Sequence, residues 1–127
     1  MYQNSARSQI AEGYLKEKAS DKYEVHSAGT EPSLVNPLAV VVMEEIGIDI
    51  SHYTAKNATQ FLYMKMDFDV TVCDNAKEKC PFFLGGRRFI HKGFQDPNAV
   101  SNAENDKLKA FREVRDEITS WIDSEFL

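Results

Sequence analysis

Cysteine is scarce in this chain of 127 residues: Cys73 and Cys80 are its two. A secreted domain stapled by disulfides needs more, so a reducing, cytoplasmic setting is the expectation. Long apolar runs are missing as well. None approaches the roughly 18 residues of a membrane span, and no basic-then-apolar signal segment opens the sequence. Positive charge is in deficit, with 15 Lys and Arg against 20 Asp and Glu. That balance argues against a general nucleic-acid or membrane-surface binder. The three histidines, His26, His52 and His91, show no ligand spacing. No second cysteine pair completes a zinc site, so no bound metal is expected. No repeat, low-complexity tract or linker divides the sequence, and 1–127 reads as one domain able to bury a core.

What is present alternates between helical and extended patterns. Ile10, Ala11, Tyr14 and Leu15 give a helix over Ser8–Ala19, with Ser5 or Ser8 near its start. Tyr23-Glu24-Val25-His26-Ser27 alternates like a strand and ends at Ala28-Gly29. Asn36 caps a second helix and Pro37 takes its first position. Leu38, Val41, Val42, Glu45 and Ile46 continue that helix, and Gly47 ends it. Asp67–Cys73 and Arg88–His91 read as further strands. Glu104–Phe126 is a long closing helix with Leu108, Phe111, Val114, Ile118, Trp121 and Ile122 on one face. This order predicts an α/β three-layer sandwich around a small parallel sheet. In such folds ligands sit at the carboxyl ends of the strands. Residues 1–8, 27–36, 73–81 and 91–100 fall there, and polar and reactive side chains concentrate in them.

Three of these segments suggest chemistry. Gln3-Asn4-Ser5-Ala6-Arg7-Ser8 runs into the first helix. Successive backbone N–H groups at a helix start make a nest for a tetrahedral oxyanion. Arg7 can clamp two oxygens with its planar fork. The plainer alternative is a capped helix with an exposed arginine. Cys73 and Cys80 stand seven apart after a strand. Two thiols in one loop can close a disulfide if that loop rearranges, and Lys77 and Lys79 favour a thiolate; two ordinary cysteines are the alternative. Asp96, ahead of Pro97, suits a general acid above an anion, although Asp-Pro is also common in turns.

Taken together, the motifs resemble one family. Asn4-Ser5-Ala6-Arg7-Ser8-Gln9-Ile10-Ala11-Glu12-Gly13, Ser27-Ala28-Gly29-Thr30, Asn36-Pro37, Ile46-Gly47-Ile48-Asp49-Ile50-Ser51, Val72-Cys73-Asp74-Asn75-Ala76, Cys80-Pro81 and Phe94-Gln95-Asp96-Pro97 follow its order and spacing. They look like the thioredoxin-coupled arsenate reductases, which share the fold of low-molecular-weight protein tyrosine phosphatases. The resemblance implies reduction of arsenate to arsenite by a thiol relay. Arg7 matches the arginine of the phosphate loop and Ser8 its serine. Asp96 matches the acid that protonates the leaving oxygen, and Cys73 and Cys80 the redox pair. It also implies no bound cofactor, with thioredoxin or a similar dithiol as external reductant. Some members hold a potassium ion under the loop. Asn4, Glu12, Ser27 and Thr54 match its ligands, and Lys56 stands where an Asp would be, so the Lys56 ammonium is expected to face Glu12.

One departure bears on activity. The family's nucleophilic cysteine lies six positions before the matching arginine, where this sequence has Met1. The first and central strand that precedes that cysteine is missing too. The chain as written is therefore expected to be inactive. The favoured account is a natural protein that continues upstream into a strand ending in Cys. A catalytically dead oxyanion-binding module and a strand supplied by another chain, through self-association, are the others. A low-molecular-weight tyrosine phosphatase is the competing activity. It usually carries an aromatic residue after Asp-Pro, where this chain has Asn98.

Overall fold

A computed structural model of the chain describes residues 6–26, 35–53, 66–72, 86–99 and 103–127. In chain order these hold helix α1 (Arg7–Ala19), helix α2 (Pro37–Glu44), strand β1 (Met66–Thr71), strand β2 (Gly86–His91), a short 3-10 turn (Pro97–Ala99) and helix α3 (Glu104–Glu125). Among the described residues, β1 and β2 form a two-stranded parallel sheet, with Phe68 opposite Arg88 and Val70 opposite Ile90. A parallel pair forces a crossover between its strands, and both chain exits at the strand ends face the same way.

The helices form where local chemistry favours them. The Asn36 side chain accepts from the Leu38 N–H at 2.9 Å, satisfying a donor that the helix itself leaves open. Pro37 occupies the first turn, where its missing N–H costs nothing. Gly47 has φ +83°, a conformation that side chains resist, and the chain reverses there. Along α3, Phe111, Val114, Ile118 and Ile122 are buried at spacings of three and four. They pack against Ile10 of α1, Val42 and Met43 of α2, and Ile50. The strand residues Phe68, Val70 and Ile90 close this core from the sheet side. No helix among the described residues is long and apolar enough to cross a membrane.

The structure corrects three expectations. Tyr23–His26 is not a strand. An extended segment needs a ladder partner for its N–H and C=O groups, and among the described residues nothing pairs with it. Tyr23 instead extends the end of α1, its N–H bonded to the Ala19 carbonyl at 2.9 Å. Its hydroxyl donates to the Phe126 carbonyl at 3.2 Å. Second, α1 starts one residue earlier than read, at Arg7, with Ala6 as its N-cap and no side-chain cap hydrogen bond. Third, α2 ends at Glu44 with Glu45 as its C-cap, so Ile46 lies in the turn before Gly47 and not in the helix.

Candidate functional site

The site is built from the start of α1 and the loop after β2. No acidic residue lies in the first turn of α1, so the positive end of the helix dipole is not offset there by its own side chains. Arg7, the first helical residue, is 8% exposed. A guanidinium stays charged at any physiological pH, and a buried one requires acceptors. One Nη1 hydrogen goes to the Phe94 carbonyl at 2.9 Å. This bond joins the helix start to Phe94, 87 positions further on, in the segment that carries Asp96. The Phe94 N–H in turn donates to the Val72 carbonyl at 3.1 Å, at the exit of β1. Val72 is the residue before Cys73 in the sequence.

Asp96 is half-buried and held by its own turn. Its Oδ1 accepts from the Asn98 N–H at 3.0 Å, and its carbonyl accepts from the Ala99 N–H at 3.1 Å. Pro97 is fully buried beneath it, and the turn packs on α3. The carboxylate is thus fixed by short-range bonds, as its sequence setting suggests, while one oxygen keeps capacity for another partner.

Glu12 lies one and a half turns along α1 and is 3% exposed. Its carboxylate meets the Lys16 ammonium at 2.9 Å, and that ammonium also stands 5.1 Å from the centre of the Tyr53 ring. Burial raises the Tyr53 pKa, Lys16 opposes the rise, and Glu12 adds to it. Lys56, the ammonium expected against Glu12, lies outside the described residues. Among those described, Lys16 holds that place. The signal was the Glu12-x-x-x-Lys16 spacing, which puts both side chains on one helix face. Phe94 carried a weaker signal, as an apolar residue inside a polar loop.

Of the residues read from the sequence, Ala6, Arg7, Ser8, Glu12 and Asp96 are described. The structure brings Arg7 together with the Phe94–Asp96 segment. Gln3, Asn4, Ser5, Ser27, Thr54, Cys73 and Cys80 lie outside the described residues. Among the described residues, no group of three or more His, Cys, Asp or Glu side chains gathers as a metal site would.

A buried arginine at a helix start is thus tied to a loop that carries an acid, at one end of a parallel sheet in an α/β fold. The profile of the low molecular weight phosphotyrosine protein phosphatases matches residues 2–124, and the chain belongs to that family. Within the family it is similar to arsenate reductases. The arsenate reductase of Halalkalibacterium halodurans is 45% identical over 119 residues, which are 94% of this chain and 86% of that protein. A solved arsenate reductase in the phosphate binding state superposes with a TM-score of 0.81 at 32% identity, over 97% of this chain and 89% of that one. Another, in the oxidized state, gives 0.80 at 32% identity with the same coverage of 97% and 89%.

Proposed function

We propose that this protein is an arsenate reductase working by a thiol relay. The observation that carries the reading is the Arg7–Phe94 bond, because it gathers an anion clamp and an acid-bearing loop at one place. Its relatives include an arsenate reductase that binds phosphate, an oxyanion of the same shape and charge. A tetrahedral oxyanion sits on the loop before α1, with Arg7 across two of its oxygens. Asp96 protonates the oxygen that leaves as a thiolate bonds to arsenic. The Cys73 thiolate then attacks the sulfur of that adduct, and arsenic departs as arsenite with the electron pair of the broken S–As bond. Cys80 displaces the first sulfur and leaves a Cys73–Cys80 disulfide. Two thiols are oxidised as arsenic falls from +5 to +3. Thioredoxin or a similar dithiol restores the thiols, and no bound cofactor takes part.

The attacking thiol belongs six positions before Arg7, where Met1 stands. A thioether has no proton to lose and forms no such adduct. Chain 1–127 by itself is therefore read as binding the oxyanion without reducing it. In this reading, 1–127 is one cytoplasmic domain, a three-layer sandwich, and Ser27, Thr54 and Lys56 brace the loop beside Glu12.

The test is arsenate reduction with thioredoxin, thioredoxin reductase and NADPH, for 1–127 and for a chain in which a strand ending in Cys replaces Met1. The extended form turns over and loses activity with Cys73→Ser or Cys80→Ser; 1–127 does not turn over. Reduction by 1–127 would overturn the reading of position 1. Family membership also favours a tyrosine phosphatase. Cleavage of phenyl phosphates by the extended chain, with no arsenate reduction and no effect of Cys73→Ser, would establish that activity instead.

A further inference from the structure

Three contacts of different kinds converge on Phe94. Its carbonyl accepts from Arg7 at 2.9 Å. Its N–H donates to Val72 at 3.1 Å. Its ring is buried, and Trp121 of α3 meets it edge-to-face with centroids 6.0 Å apart. Trp121 is the chain's single tryptophan, and it meets Phe126 in turn edge-to-face at 5.5 Å. The peptide groups on either side of the Phe94 Cα thus serve two functional segments. One group points to the anion clamp and the other to the strand end that leads into Cys73.

We propose that Phe94, seated by Trp121, is a positioning residue that couples the Arg7 clamp to the end of β1 leading into Cys73. The inference deepens the arsenate reductase reading, which needs the anion site and the redox cysteines to act in order. Two hydrogen bonds from one residue, whose side chain is locked in packing, cannot shift independently. A change in how Arg7 holds its acceptor therefore moves the peptide after the Phe94 Cα and, through that Cα, the bond to Val72. Trp121 sets the stiffness of the link, since an edge-to-face aromatic pair favours one ring orientation. Neither Phe94 nor Trp121 touches the reacting atoms in this account.

Amide hydrogen exchange of chain 1–127, followed residue by residue by NMR, tests the coupling without a turnover assay. Arg7→Lys and Trp121→Leu should each speed exchange at the Phe94 amide about tenfold, while Ile118 in the middle of α3 stays within about twofold. Trp121→Phe retains a ring and should restore most of the protection. Should Trp121→Leu not fold, Arg7→Lys and Trp121→Phe still decide the matter. In the same samples, alkylation of Cys73 by iodoacetamide, read by peptide mass spectrometry, should change severalfold with Arg7→Lys. An unchanged Phe94 amide, a Phe94 amide that moves only in step with Ile118, or an unaltered Cys73 rate would each overturn the coupling. Inorganic phosphate should slow Phe94 exchange in the unsubstituted chain. If phosphate is silent while the substitutions act, the coupling stands and the oxyanion reading fails.

Discussion

Arg7 and Phe94 meet at 2.9 Å, guanidinium to carbonyl, at the first turn of α1. The arginine is nearly out of solvent, so its charge is directed by hydrogen bonds rather than dissipated by water. Arg7→Lys keeps the charge but loses the planar fork. Phosphate affinity, measured by calorimetry, should fall by about tenfold or more. Arg7→Ala removes the donor to a buried carbonyl as well, and urea denaturation should show a loss of roughly 1–3 kcal/mol.

Gly13 sits in the middle of α1, where alanine would ordinarily help by up to about 1 kcal/mol. Here a Cβ would come to 2.7 Å from Cγ2 of Ile50, with the Met43 Cε at 3.5 Å. Ile50 is fully buried and branched at Cβ, so it has little room to rotate away. The clash should outweigh the propensity gain. Thermal unfolding of Gly13→Ala should show a net destabilisation of roughly 1–2 kcal/mol.

The Tyr14 hydroxyl donates to Asp123 Oδ1 at 2.7 Å, joining α1 to α3. Burial, then the carboxylate, pushes the Tyr14 pKa up from 10.0 to about 12. The folded state thus holds a proton that the unfolded state releases first. Its contribution is complete below pH 10.0 and is lost as pH rises toward about 12. Spectrophotometric titration should show Tyr14 ionising after the ordinary tyrosines, and Tyr14→Phe should remove that late step. At neutral pH the same substitution should cost about 1 kcal/mol.

Glu45, just past the end of α2, is gripped by two arginines of α3. Arg112 Nη2 and Arg115 Nη1 each reach it at 2.7 Å. The hydrogen bonds from Arg112 are the main cause that holds its carboxyl below the ordinary 4.5. A lowered carboxylate stabilises the fold above the unfolded value and stops doing so as pH falls through the folded one. The stability difference between the unsubstituted chain and Glu45→Gln should be constant from neutral pH down to about 5 and vanish in stronger acid. Added salt should shrink it at neutral pH, since the pair is at the surface.

Much of the local structure was legible before any coordinates. Asn36, Pro37 and Gly47 announced the start and end of α2 because each answers a local backbone need. The α3 stripe was legible because a long amphipathic helix repeats its signal many times. Tyr23–His26 misled because alternation describes a strand's faces but says nothing of its partner. The α1 start lies within one residue of the boundary the pattern gives, with its N-cap at Ala6. The Glu12–Lys16 spacing is visible in the sequence, whereas the contact of Trp121 with Phe94 is not.

The sequence by itself determined which chemistry was available: an arginine at a helix start and an acid in a loop, both bound for one end of a parallel sheet, and two thiols seven apart. These follow from residue type and spacing, which are local properties. Tertiary structure decided who meets whom. It put Phe94 against Arg7, Lys16 against Glu12, Trp121 against Phe94, and the Tyr23 ring against Phe126 instead of in a strand. The physical reason is that hydrogen bonds and ring contacts depend on distances of a few ångströms between segments distant in the chain. Close packing of the core fixes those distances; the periodicity of a sequence does not.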